Sequence, residues 1–230
     1  MTARLDLLAL EGFPLVAPGD DLVELIAIAL DDNGLQLQPG DVLVIAQKIV
    51  SKSEDRYVRL EAVQPGPRAL ELAREASKDP RQVELVLAES AAVLRVRPGV
   101  IIVEHRNGYV HANAGIDKSN ITQDDDDPQV LLLPLDPDAS ARLLRDGLAH
   151  RTGTAPQVII NDSAGRAWRN GTVGLAIGTA GLDPVHSQIG EQDMFGNTLE
   201  VTEPAVADEL AAAASLLMGQ AAQALPVVLV

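Results

Sequence analysis

The residues best equipped for chemistry lie in two polar segments, Asn113-Ala114-Gly115-Ile116-Asp117-Lys118-Ser119-Asn120 and Asn161-Asp162-Ser163-Ala164-Gly165-Arg166-Ala167-Trp168-Arg169-Asn170-Gly171. Each begins where an apolar, strand-like run ends. A strand end is a rigid mount for a carboxylate, and a nearby Gly, Ser or Asn lets the backbone approach an anion without steric clash. The two segments read as halves of one metal and phosphate site, with Asp117 and Asp162 as its leading residues. Asp162-Ser163 joins a carboxylate to a hydroxyl, hard oxygen donors suited to Mg²⁺ or Mn²⁺. Asn120 suits a phosphate or a base edge. The rival reading of each aspartate is a loop or capping carboxylate, and spacing alone does not bring the two together.

Other charged groups are read with two meanings each. Lys48 and Lys52 follow an apolar run and share a face whether the segment is helical or extended, so they are a phosphate clamp or a solvated pair. Arg166 and Arg169 pose the same choice. Asp124-Asp125-Asp126-Asp127 reads as a solvated loop, because adjacent carboxylates diverge and repel. His105, His111, His150 and His186 form no metal-binding or triad spacing. Gly171, Gly174, Gly178 and Gly181 read as close packing and tight turns, with a ligand wrap as the alternative. Neither a Walker-type phosphate loop nor a dinucleotide glycine fingerprint is present, which disfavours both folds.

Composition narrows the class further. The 230 residues include 18 Lys and Arg against 33 Asp and Glu, a formal charge of −15, which disfavours nonspecific binding to nucleic acid or anionic membrane. Two Phe, two Tyr and one Trp leave few platforms for stacking bases. No cysteine is present, so thiolate metal sites and thiol nucleophiles are excluded. Residues 5–10 are too short and too interrupted for a signal peptide, and no apolar run reaches bilayer length. The expected location is the cytoplasm.

These residues need elements to hold them. Strand-like runs lie at 4–10, 41–46, 99–105, 109–114, 130–135, 156–161, 172–179 and 225–230. Helices are expected over 20–31 with Asp20 or Asp21 as cap, over 66–78, from Asp79-Pro80 onward, from a cap at Asp138 to about 150, and over 203–218 ending at Gly219. Asn107-Gly108 predicts a two-residue hairpin that makes 99–114 antiparallel and delivers Asp117 just beyond it. The pattern predicts an α+β fold of mixed, largely antiparallel sheets with packed helices. It reads as one domain over 1–230 with a small helical lobe at about 66–92. The apolar run at 226–230 points to a longer or trimmed chain.

An ordered set of motifs then carries a resemblance. Glu11-Gly12-Phe13-Pro14 with Gly19-Asp20-Asp21, Gln47 to Lys52, Asn113 to Asn120, Leu132-Leu133-Pro134 with Asp136-Pro137-Asp138, Asn161 to Gly171, Asp193-Met194-Phe195-Gly196 and Ala207-Asp208-Glu209 to Met218-Gly219 together resemble the coenzyme F420-0:L-glutamate ligase family. The resemblance spans nearly the whole chain. It implies the family's α+β fold, a homodimer, and a GTP-dependent γ-glutamyl ligase acting on F420-0 and L-glutamate with Mg²⁺ or Mn²⁺ and K⁺. By position it assigns Asp117 and Asp162 as catalytic, and Asp117, Asp162, Ser163 and Gln220 to metal. It lines the GTP site with Phe13, Pro14, Leu15, Val16, Gln47, Lys48, Lys52 and Asn120, and with Met218, Gly219, Gln220, Ala221, Ala222, Gln223, Ala224 and Leu225. The family's archaeal pattern has Gly-Glu and Asp-Thr where this chain has Gly219-Gln220 and Asp162-Ser163. Alternative readings are a ligase of the same fold for another carboxylate or amino acid, and a catalytically weakened nucleotide- or deazaflavin-binding protein.

Overall fold

The computed structural model describes residues 3–124 and 128–230, so three of the four consecutive aspartates, Asp125, Asp126 and Asp127, lie outside the described residues. The first half runs β1 (Leu8–Ala9), α1 (Leu22–Asp32), β2 (Val42–Ala46), α2 (Gln47–Ser53), β3 (Tyr57–Arg59), α3 (Pro67–Ala76) and α4 (Pro80–Ala88). There follow β4 (Ser90–Arg97), β5 (Val100–His105), β6 (Val110–Ala112) and β7 (Gln129–Leu131). The remainder is α5 (Pro137–Thr152), β8 (Gln157–Gly165), β9 (Thr172–Ala180), α6 (Val206–Met218) and β10 (Val227–Leu229).

The most apolar runs build a five-stranded sheet in the order β1-β10-β2-β8-β9. Its pairs are antiparallel except β2 with β8, which run parallel in a register that sets Ala46 opposite Asn161. β2 is buried on both faces, as its unbroken Val-Leu-Val-Ile run requires. One face of the sheet packs Leu43, Ile45, Val158 and Ile160 against Ile26, Leu30, Leu144 and Leu148 of α1 and α5. The other packs Val44, Ile159 and Val228 against Ala207, Ala211, Ala214 and Met218 of α6. The small side chains of α6 let it lie close to β9, where Gly174 leaves no room for a Cβ beside the Ala211 carbonyl, and on the opposite face Gly178 leaves none beside Pro137 of α5. Those two glycines therefore serve packing.

The α+β class with largely antiparallel sheets is what the sequence predicts. The lobe is richer than a pair of helices: α3 and α4 cover a three-stranded sheet, β4-β5-β6, through Leu72, Ala76, Val83 and Val86 on Ile101 and Val103. β4 escapes the apolar pattern because Arg95 and Arg97 interrupt it. β3, which the sequence pattern also missed, pairs with β7 in a small ribbon. The run at 4–10 contributes only Leu8–Ala9 to the sheet, and 130–135 leaves its strand before Pro134.

The caps at Asp21 and Asp79 are in place, each accepting backbone N–H groups of its helix. Helix α5 starts earlier than expected, capped by Asp136, with Pro137 in its first turn. Asp138 lies one residue inside, where its carboxylate accepts the Thr179 N–H at 2.8 Å and ties α5 to β9. The β5–β6 turn is a three-residue loop: Tyr109 pairs with His105, and Gly108, at φ +93°, donates to the His105 carbonyl. Glycine is needed there because an L side chain is strained in that region.

Candidate active site

The parallel pairing of β2 with β8 ends at Ala46 and Asn161; β2 stops there, but β8 runs on to Gly165, so Asp162 lies within a strand paired with β9 rather than at the strand end that its sequence suggests. Gln47 opens α2 directly after β2, and Asp162 follows Asn161 on β8. From the lobe side, the β5–β6 hairpin sends the chain through a short turn to Asp117, whose N–H and carbonyl both pair with Leu131 at 2.9 Å. Three segments far apart in sequence thereby meet in one cleft of about 790 Å³. Both candidate aspartates line it, together with Ser163.

The charges in the cleft are interlocked. Asp117 Oδ2 accepts from Gln47 Nε2 at 2.9 Å and faces Lys48 Nζ at 3.1 Å. Gln47 is itself fixed, because its Oε1 accepts from Ser51 Oγ at 2.8 Å. Lys48 also donates to the carbonyl and hydroxyl of Ser119. Burial pushes the Asp117 carboxyl above its ordinary value; Lys48 opposes the shift and the negative charge of Asp162 adds to it. Asp162 Oδ1 accepts the Ser163 N–H at 2.8 Å, and its Oδ2 meets His111 Nε2 at 2.9 Å. Burial alone would lower the His111 pKa, but its hydrogen bond and charge contact with Asp162 raise it.

Helix α2 resolves the lysine spacing: Lys48 and Lys52 stand one turn apart and both line the cleft. The Lys52 ammonium is partly buried, and burial together with the Lys48 charge lowers its pKa. Phe13, Pro14, Leu15 and Val16 form another wall. Met218, Gly219, Gln220, Ala221, Ala222, Ala224 and Leu225 close the far side, where Asn120 Nδ2 donates to the Ala221 carbonyl at 3.1 Å. Gln223 departs from the expected lining. Its Oε1 accepts the Ala221 N–H and its side chain packs against Gly219, so it braces the loop from behind. Gln220 is exposed at the cleft edge, its amide 3.4 Å from Ser215 Oγ. Arg166 and Arg169 lie on the exposed β8–β9 turn outside the cleft, where Arg166 holds the Gly171 carbonyl.

Sequence reasoning missed His111, Tyr57 and Ser215 as lining residues. Only the period-two face shared by Tyr109 and His111 on the hairpin hinted that His111 points inward. Among the described residues no three His, Asp or Glu side chains group closely enough to enclose an ion. Two carboxylates and a hydroxyl on one cleft nevertheless fit a hard divalent cation that keeps water or phosphate oxygens as its other ligands. The mutual charge effect of the aspartates is the strain such a cation would relieve.

Behind the cleft, His105 is 1% exposed and stacks on Tyr109 with ring centroids 4.9 Å apart. Burial lowers its pKa from 6.5 to about 4, helped by the charges of Arg106, His111 and Arg56. The folded value lies below the unfolded one, so on acidification the unfolded chain takes up the proton first. Stability is therefore complete above about pH 6.5 and declines toward pH 4. The whole shift would be worth at most about 3 kcal/mol. Urea unfolding across this range should show the wild type losing that increment and His105→Gln keeping it.

The chain matches the family model described as F420-0:Gamma-glutamyl ligase over residues 12–230. It is 48% identical to the coenzyme F420:L-glutamate ligase of Methanothermobacter thermautotrophicus over 98% of this chain and 88% of that protein. Proteins of the same name from Methanopyrus kandleri and Archaeoglobus fulgidus are 44% and 43% identical, over 96% and 99% of this chain and 86% and 87% of theirs.

Proposed function

The chain belongs to the F420-0:gamma-glutamyl ligase family, which makes it a ligase, and we propose that it uses GTP to join L-glutamate to coenzyme F420-0. The observation that supports the reading most directly is the convergence of Asp117 and Asp162 on one cleft whose wall carries Lys48 and Lys52. A carboxylate attacking a triphosphate brings like charges together, so cations must stand where that charge accumulates.

In the proposed reaction the terminal carboxylate of the phospholactyl side chain attacks the γ-phosphorus of GTP. The bond from that phosphorus to the bridging oxygen breaks and GDP leaves, giving an acyl phosphate. The amine of L-glutamate then attacks the acyl carbon, phosphate departs, and loss of the amine proton leaves an amide. Further rounds would add glutamates through γ linkages. Lys48 and Lys52 bind phosphate oxygens, and Asp117, Asp162 and Ser163 would hold Mg²⁺ or Mn²⁺, with Gln220 as a neutral ligand within reach of the same edge. The divalent ion supplies charge neutralisation on the transferring phosphoryl group. Gln47 keeps Asp117 oriented through its 2.9 Å hydrogen bond. A cytoplasmic homodimer that also uses K⁺ completes the proposal.

The test is incubation with F420-0, L-glutamate, GTP and Mn²⁺, followed by mass analysis for glutamyl additions. GTP turnover without such products would favour another acceptor. Ligand binding without turnover would favour a weakened binding protein. Within this reading Lys52→Ala should raise the apparent Kd for GTP about ten- to a hundredfold, since a charged contact to phosphate is worth about 1.5–3 kcal/mol. Unchanged affinity in nucleotide titrations would return Lys52 to a solvated role.

A further inference from the structure

The grip on Asp162 comes from two sides. Oδ1 accepts the Ser163 backbone N–H at 2.8 Å, and Oδ2 takes His111 Nε2 at 2.9 Å, so the carboxylate plane cannot turn without breaking one bond. The second bond comes from the lobe. His111 sits on β6 with 8% exposure, its Nδ1 lies 3.1 Å from the Ala112 carbonyl oxygen, and the Tyr109 ring meets its own ring edge-on with centroids 6.2 Å apart. Tyr109 is in turn stacked on His105, so the imidazole is held as firmly as the carboxylate it serves. Packing alone does not call for this arrangement, because a buried imidazole–carboxylate pair carries a desolvation cost that an apolar pair would avoid.

We propose that His111 is a positioning residue for ligation: through Nε2 it fixes the Asp162 carboxylate in the orientation that receives the divalent cation and the phosphates. The inference rests on the metal and phosphate reading of the cleft. Groups that orient a metal-binding side chain typically alter metal affinity or activity by about 10–100-fold when removed.

Two polar substitutions separate positioning from space filling. In His111→Gln the side-chain amide can occupy the place of Nε2 and keep the bond to Asp162. In His111→Asn the shorter amide matches Nδ1 and can keep only the Ala112 contact. Mn²⁺ titrated in the presence of GDP, followed by electron paramagnetic resonance of the free ion, reads binding without turnover; kcat and the KM for L-glutamate are measured beside it.

The expected result is that His111→Asn weakens Mn²⁺ about 10–100-fold and lowers kcat by a similar factor, with glutamate KM unchanged within about twofold. His111→Gln should recover most of both. In an Asp162→Asn background, His111→Asn should add nothing further, because its effect passes through that carboxylate. Wild-type-like Mn²⁺ binding and kcat in His111→Asn would overturn the inference, as would Gln and Asn variants that fall together. If wild type itself neither binds Mn²⁺ nor ligates, the reading of the cleft falls and this inference with it.

Discussion

Asp162→Asn is expected to reduce glutamyl ligation by on the order of 10³-fold while the protein still melts cooperatively near the wild-type temperature. The asparagine keeps the shape of the side chain and one oxygen for the Ser163 N–H, so this part of β8 is preserved. What disappears is the negative charge that would hold a divalent cation against the triphosphate. Alanine at this position is a harsher choice, because it leaves His111 buried without its carboxylate partner. Rates from F420-0, GTP, L-glutamate and saturating Mn²⁺, with a thermal melt on the same sample, check the prediction. Near-normal turnover at ordinary Mn²⁺ would remove Asp162 from the site.

Gly178→Ala is expected to destabilise the fold by about 3 kcal/mol or more. A Cβ there collides with the Pro137 carbonyl group and the Pro137 ring. Both belong to the capped start of α5, which is tied to β9 by the hydrogen bond from Thr179 to Asp138. Neither partner can rotate away, so the helix must shift against the sheet. For a chain of this size the melting temperature should fall by roughly 6–12 °C in calorimetry. Gly165→Ala is the control: a Cβ at Gly165 meets nothing within 4 Å, and its melt should stay within about 2 °C of wild type. Equal melts for the two variants would mean that α5 shifts freely against β9.

The contrast between these glycines explains what sequence could and could not disclose. Apolar runs located β2, β5, β8, β9 and β10 because each is buried on at least one face, and Asp21 and Asp79 were readable because a cap acts on its own helix. β4 was hidden because its solvent face carries Arg95 and Arg97. The nature of the segment around Lys48 stayed open because its two lysines share a face in either conformation, and only contact with β2 and β8 decides for a helix. The candidate cleft divides in the same way. Most of its lining could be named by position, yet Gln223 turns behind its own loop and His111 enters from another sheet. No local pattern encodes which strand a histidine will meet 51 residues later.

The internal place of β10 between β1 and β2 has a kinetic consequence. Every contact in the lobe sheet joins neighbours in the chain, whereas β10 must find β2 from the far end of the sequence and β8 must find it from the middle. Closing long loops slows folding far more than it alters final stability. The hairpin that carries His111 can thus mature early, as an order of amide protection in pulsed hydrogen exchange would register. Until the larger sheet zips shut, that histidine faces no aspartate, and a half-folded chain holds one side of a lock with nothing yet to turn in it.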